Sequence, residues 1–246
     1  VVSLWRLELT VVKFFLECQD GPMAVTPKAE GRHHHGALRR ALLDAVAEIV
    51  RDAGPDAVSL RECARRAGVS HSAAAPHFGD KRGLLTAFVA EGEALLAATM
   101  RQEVAALPAD ADAAARLAAT GRGYMRFAHA HPAHFRLMFR TDLIDHGDPI
   151  WRAAADDAFA VLEQAMAAAA PGLDQRGWRA RLALAWAAVH GFSTLRAENV
   201  GDLWSPQVAE DVLALLVAAC TRPGAGAEGA AGAPPPISPC KAADGA

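Results

Sequence analysis

Apolar residues recur at spacings of three and four along most of the chain, the pattern of helices with one buried face. Leu38, Leu42, Ala45, Val46, Ile49 and Val50 share one such face, and Gly54-Pro55 ends the run. Ser59 and Glu62 then stand in capping-box spacing, predicting a short helix through Ala67. Gly68 supplies a turn, Ser70 can cap a third helix, and Asp80 can cap a fourth that runs past Glu103 to a stop at Pro108. That fourth helix would be about 35 Å long at 1.5 Å per residue. Further helices are predicted over 112–130, 133–140, 149–169, 175–197 and 206–220, bounded by Pro132, the polar loop Asp142 to Pro149, Pro171-Gly172 and Gly201 to Pro206. No stretch alternates with β-branched residues as a strand would. The predicted fold class is all-α.

At 246 residues, 52% hydrophobic and 22% charged, the chain is long enough for one large domain or a small one joined to a medium one. No uninterrupted apolar run approaches the ~20 residues of a membrane span, so no membrane partner is expected. Cys18, Cys63, Cys220 and Cys240 are scattered and form no metal or disulfide pattern, consistent with a reducing cytoplasm. Residues 1–32 read as an N-terminal extension. Val1 to Asp20 lack the basic head and cleavage site of a signal peptide, and Met23 is the expected natural start. N-terminal mass spectrometry of the native protein tests this, and peptides containing Leu4 or Phe14 would overturn it. At the other end, residues 222–246 read as a disordered tail, from the Gly, Ala and Pro bias of Pro223 to Ala246.

The total charge of −3 hides an asymmetry. Ala24 to Arg82 hold ten Lys/Arg against seven Asp/Glu, whereas Gly83 to Arg222 hold twelve against sixteen. A small basic module joined to an acidic body is the implication. Within the basic part, Ser59 to Phe88 has the layout of two short helices around a tight Gly turn, the helix-turn-helix geometry. Leu60, Ala64 and Ala67 would face inward from the first helix, with Val69, Ala73 and Phe78 packed beneath the second. The second helix would then offer its polar face to a major groove ~12 Å wide. Arg39 and Arg40 are expected to open the first helix of the module, and Lys81 and Arg82 the fourth. Cations there oppose the helix dipole, which makes sense where an anion such as a DNA phosphate is held.

The runs His34-His35-Gly36-Ala-Leu-Arg39, Leu60-Arg-Glu-x-Ala64-Arg-x-Ala67-Gly68-Val69-Ser70 and His77-Phe78-x-x-Lys81 with Leu84-Leu85 resemble the TetR/AcrR family of transcriptional regulators. The resemblance covers about residues 33–90. It implies a helix-turn-helix DNA-binding domain at 33–80, a helical ligand-binding and dimerisation domain at 81–221, and a homodimeric repressor that leaves a palindromic double-stranded operator when a small-molecule inducer binds. By the same resemblance Ser70, His71, Ser72 and Ala73 would meet base edges, and His77 and Lys81 would clamp phosphates. Arg39, Arg40 and Ser59 complete the expected DNA-binding set, with Phe78 anchoring the small core. Ala75 and Pro76 depart from the family, which usually has an aromatic and a polar or basic residue there. Pro76 lacks an N–H and would clash with the Ser72 carbonyl, so the third helix is expected to kink or end early.

Trp186-Ala-Ala-Val189-His190-Gly191 resembles a C-terminal domain of the W-x-x-x-H-G subfamily. Gly191 inside a helix costs about 1 kcal/mol relative to Ala, a cost that close packing of a helix or ligand would offset. Candidate ligand-binding residues are Tyr124, Phe127, Phe135, Met138, Phe139, Trp151, Phe159, Trp186 and His190, all of which also suit plain core packing. Trp186 and His190 read equally as a pocket wall with a polar handle or as a core Trp beside a hydrogen-bonded His. The expected inducer is small and hydrophobic or aromatic. Val208, Val212, Leu215, Leu216 and Ala219 form a stripe that, with the 175–197 helix, would make a four-helix dimer interface, Glu210 and Asp211 lying opposite. Tilting of the fourth helix would carry a ligand's effect to the DNA-binding helices.

Other classes find less support. Glu30-x-x-His33 is a single unpaired metal half-motif, His129, His131 and His134 are split by Pro132, and Asp142, Asp145, His146 and Asp148 read as a solvated loop. No catalytic, cofactor or metal motif is present. A helical protein–protein adaptor with a merely structural helix-turn-helix is the alternative.

Overall fold

The structure, a computed structural model, describes residues 30–201 and 204–222, with side chains from Gly36 onward. The expected start at Met23 and the Gly/Ala/Pro-rich tail lie outside the described residues. Nine α-helices are present among them: α1 Glu30–Ala53, α2 Leu60–Arg66, α3 His71–Phe78, α4 Lys81–Ala105, α5 Ala113–Ala130, α6 Pro132–Met138, α7 Pro149–Ala169, α8 Gln175–Ala197 and α9 Pro206–Thr221. Short 3-10 turns at Pro55–Ala57 and Thr141–Leu143 complete the order, and no strand occurs among the described residues. The all-α class is as predicted.

Helix borders follow local chemistry. Ser59, Ser70, Asp112, Asp174 and Ser205 each accept a backbone N–H from three residues on, satisfying donors that an open helix end leaves bare. Asp80 does the same for Gly83 at the head of α4. The expected capping box at α2 is only half formed. Ser59 caps the Glu62 N–H, but the Glu62 carboxylate turns to Arg65 and Arg66, since charge-assisted bonds outcompete one to a backbone amide.

Two compact units emerge. One joins the described residues up to Leu95 with Ala133–Ala154; the other joins Leu96–Pro132 with the described residues from Ala155 onward. Compactness thus groups α6, the loop after it and the first six residues of α7 with α1–α3 and α4 up to Leu95.

In the first unit, Leu42, Leu43, Val46, Ile49 and Val50 of α1 form the floor on which Leu60, Cys63 and Ala64 of α2 and Ala74 of α3 pack. Gly92 of α4 lets α6 approach closely, with His134 Cβ and Met138 Sδ 3.1 Å from where a Cβ would stand. The His134 ring stacks on Phe88 at 3.9 Å. Glu91 receives Arg40 of α1 at 2.6 Å and lies 3.4 Å from His134 of α6. Burial pushes its carboxyl up, but the contacts with His134 and Arg40 outweigh that and hold it below the usual range. Arg82 donates to the carbonyls of Ile144 and Asp142, and the Thr86 hydroxyl accepts the Asp145 N–H.

In the second unit α5, α8 and α9 pack on one another. Gly121 and Gly123 make this possible. A Cβ on Gly121 would stand 2.5 Å from Leu213 Cδ2, and one on Gly123 would stand 2.5 Å from Met100 Cα. Arg122 forms a two-pronged pair with Glu210, and Arg181 donates to the Cys220 carbonyl. The stripe foreseen on α9 divides. Leu213, Leu216 and Cys220 turn into the chain's own core, while Val208, Val212, Leu215 and Ala219 remain partly or fully exposed. Among the described helices, α4 is long and apolar enough to cross a membrane by length and composition, and 67% of that stretch is buried within the protein.

Candidate nucleic-acid interface

Gly68, at φ +69°, makes the turn between α2 and α3 in the left-handed region where glycine carries no Cβ penalty. Ser70 follows in extended conformation, its Oγ accepting the Ala73 N–H and lying 2.9 Å from Ser72 Oγ. Ala74 is the residue that α3 buries, which turns Ser70, His71 and Ser72 outward and leaves Ala73 half-buried. The first turn of α3 is therefore a small, polar, exposed edge suited to a groove.

Contrary to expectation, α3 does not end at Pro76. It continues through Phe78, with Pro76 exposed and the Gly79 N–H donating to the Ala75 carbonyl at 2.7 Å. A proline six positions into a helix forfeits one bond, and the packing of Ala74 and the glycine stop retain the turn around it. The corner into α4 is tight: a Cβ on Gly83 would collide with the Phe78 carbonyl oxygen. His77 is half-buried beside the Phe78 ring, and Lys81 stands at the first position of α4 with Nζ 3.3 Å from the Asp56 carbonyl oxygen.

The arginines differ from the sequence picture. Helix α1 begins at Glu30, so Arg39 and Arg40 lie in its interior and do not open it. Arg39 sits over the Phe78 ring, 5.4 Å from its centre, and Arg40 pairs with Asp44 and Glu91. Arg82 is spent on backbone carbonyls of the 142–144 segment. Arg66 pairs with Glu48, Asp52 and Glu62, pinning α2 to α1, and the Glu62 carboxyl is held at about 2 by the hydrogen bonds from Arg65 and Arg66. Sequence reasoning passed over Arg61. It stands exposed at the start of α2, next to the cap Ser59, and makes no ion pair among the described residues. Its position one residue inside a capped helix start was the available signal.

The candidate ligand residues fall in both units. In the first, Phe135, Met138 and Trp151 are buried, and Phe139 is 38% exposed and edge-on to Phe135 at 5.5 Å. Trp151 meets the His146 ring edge-on at 5.1 Å. The loop carboxylates act locally: Asp142 pairs with Arg140, and Asp148 accepts the N–H groups of Ile150 and Trp151. In the second unit, Phe127 has no exposed surface, and buried Tyr124 holds its hydroxyl 2.9 Å from His190 Nδ1. Burial lowers the His190 pKa, favouring the neutral ring that can accept the phenol's proton donor. Trp186 is 39% exposed and edge-on to Phe159 at 5.9 Å. Within the chain, His190 is thus a hydrogen-bonded histidine, and Trp186 borders solvent.

Comparison with known proteins yields two matched segments, the second of which takes in residues of both units. Residues 42–88 match the tetR family of bacterial regulatory proteins, and 117–220 match a tetracyclin repressor-like C-terminal domain. A curated relative, the HTH-type transcriptional regulator BetI of Rhizobium meliloti (strain 1021), is 38% identical over 104 residues, 42% of this chain and 43% of its own length. The match thus spans less than half of that relative. A protein of unknown function from Rhodococcus sp. RHA1 shares 30% identity and superposes with a TM-score of 0.62 over 78% of this chain and 97% of the other. A TetR family transcription regulator from Marinobacter aquaeolei VT8, 16% identical, shares the fold with a TM-score of 0.60 over 76% and 97% of the two chains. Two models of one family, one on the helix-turn-helix and one on the helices that follow, together match more than half of the sequence, and the chain belongs to the tetR family of bacterial regulatory proteins, DNA-binding regulators of transcription and not enzymes.

Proposed function

We propose that the chain works in the cytoplasm as a homodimeric repressor, bound to a palindromic operator and released by a small molecule with an apolar or aromatic body. The observation that carries this reading is the exposed first turn of α3, with Ser70, His71 and Ser72 outward and Ala73 at its margin. In this reading those four meet base edges, while His77 and Lys81 on one side and Ser59 and Arg61 on the other take phosphates. Arg39 and Arg40 act behind them, holding Phe78 and α4 in place for the docking surface.

The C-terminal part belongs, in the same proposal, to the W-x-x-x-H-G subfamily, Trp186, His190 and Gly191 lying together on α8. Candidate ligand contacts are Tyr124, Phe159, Trp186 and His190 in the second unit, with Phe127 in that unit's core, and Phe135, Met138, Phe139 and Trp151 in the first. Helix α4 contributes residues to both units and is the element whose tilt would pass a ligand's effect to α3.

Selection of bound fragments from a random duplex pool tests the regulator reading. A recovered palindrome with half-sites one helical turn or a multiple apart supports it. Lys81→Ala should weaken binding to every sequence and reduce the slope of log K against log[salt] by about one. No enrichment, with affinity indifferent to salt and to Lys81→Ala, would favour the adaptor.

A further inference from the structure

The segment after α6 brings a cation to the helix-turn-helix. Arg140 lies just past the end of α6, its N–H donating to the Leu137 carbonyl and its own carbonyl accepting the Leu143 N–H. Its guanidinium spans two carboxylates. One belongs to Asp142, two residues on, with both contacts at 3.0 Å. The other belongs to Asp56, 84 positions earlier in the turn between α1 and α2, with Nη2 2.9 Å from Oδ1 and Nη1 3.4 Å from Oδ2. All three residues lie in the first unit. Hydrogen bonds and charge from Arg140 hold the Asp56 carboxyl below its usual range.

Asp56 also reaches the docking surface. Its backbone carbonyl accepts from Lys81 Nζ at 3.3 Å, and its carboxylate is exposed to solvent. A phosphate taken by Lys81 therefore stands well inside the ~10 Å over which that carboxylate acts on other charges at 0.1 M salt. A bare carboxylate there repels the phosphate, whereas one covered by a guanidinium does not.

We propose that Arg140 is a charge switch on DNA binding: seated on Asp56 it cancels the anion beside Lys81, and withdrawn to Asp142 it bares that anion toward the phosphates. This rests on the reading that Lys81 takes a phosphate, and adds to it a means of regulation that acts on each head separately. Arg82 holds the Asp142 and Ile144 carbonyls, so the second seat keeps its place when α6 shifts. Phe139, a candidate ligand contact, immediately precedes Arg140, so a small molecule that displaces it moves the switch as well. Tilting of α4 alters the spacing of paired heads; this switch weakens even one head on one half-site.

Fluorescence anisotropy of the full chain with a labelled random-sequence duplex of about 30 base pairs, at about 50 mM salt, provides the test. Arg140→Gln should weaken binding roughly fivefold, the worth of one unit charge a few ångströms away in water. Asp56→Asn should bind as tightly as the parent or tighter. Arg140→Gln added to Asp56→Asn should then cost less than about twofold. Asp142→Asn, which removes the second seat, should bind no more weakly than the parent. An exposed ion pair contributes little to stability, so all four variants are expected to fold as the parent does. Were the bridge only a brace for the head, Asp56→Asn would weaken binding as Arg140→Gln does. That result would overturn the proposal, as would unchanged affinity in Arg140→Gln, an equal loss with and without the Asp56 carboxylate, or weaker binding by Asp142→Asn. A parent that binds no duplex, or binds it equally well after Lys81→Ala, would remove the phosphate reading itself, and this one with it.

Discussion

A carboxylic acid held on an apolar helix face makes stability depend on pH in an unusual direction. Glu93 moves from about 4.5 to about 8 on folding, so between those values the folded state binds the proton that the unfolded state has released. Its contribution is fully present below the lower value and is lost as pH rises through the upper one. The loss is on the order of a few kcal/mol. Thermal melts of the parent and of Glu93→Gln at pH 5.5 and 8.5 should therefore agree more closely at the acid end, with the substituted protein melting higher at pH 8.5. Equal melting temperatures at pH 8.5 would show that the acid is better solvated than its position on α4 implies. Single residues were legible in the sequence where their partner is close along the chain: Ser59, Ser70 and Asp80 all cap as their spacing predicts. Arg40 was not, because its partner Glu91 lies 51 positions away, and neither was Arg82, whose carbonyl partner at Ile144 lies 62 away. Spacing carries no information about such pairs.

Elements were easier to read than the contacts between them. A helix border is set by caps, glycines and prolines within a few residues, so the α5, α7, α8 and α9 boundaries agree with the pattern to within about one residue. The early start of α1 was hidden by its polar first turns, Glu30 to Gly36, which have the composition of a tail. Pro76 misled in the opposite sense, since local sterics argue for a break that the packing of α3 on α1 and α2 overrides. Pro76→Ala should restore a donor to an exposed helix position and raise stability by about 1–3 kcal/mol, read from denaturant unfolding. A fall would mean that the proline's fixed φ matters more to α3 than the bond it forfeits. Helix approach sets a second element-scale expectation. A methyl on Gly123 meets the Met100 backbone, which cannot swing aside as a side chain can. Gly123→Ala should cost about 1–3 kcal/mol despite the better helix propensity of alanine. A gain in melting temperature would show that α4 and α5 are free to part.

At the scale of the whole molecule, the chain's own packing leaves a surface unaccounted for. On α8, Leu184 and Leu195 are each 45% exposed, and on α9 Leu215 is 72% exposed. Gly191 lies on α8 with nothing within 4 Å of where its Cβ would be. A glycine placed in a helix interior against open space costs stability without return in a lone chain. Against a second copy, the same glycine lets two helices approach, and the leucines around it become the core of the contact. The repressor reading needs this, because one head on one half-site captures only part of the affinity that a paired head on a palindrome gains. Leu184→Glu combined with Leu215→Glu should therefore yield a monomer in light scattering coupled to size exclusion, with helical content unchanged by circular dichroism. The same protein should lose operator affinity by a factor of about 100 or more, while Lys81→Ala remains dimeric and merely weakens binding at every sequence. Separation of the two effects matters, since charge on the head and apolar area on α8 and α9 act on different steps. A doubly substituted protein that stays dimeric would move the interface away from these helices, and one that is monomeric yet binds the full operator undiminished would remove the need for pairing altogether.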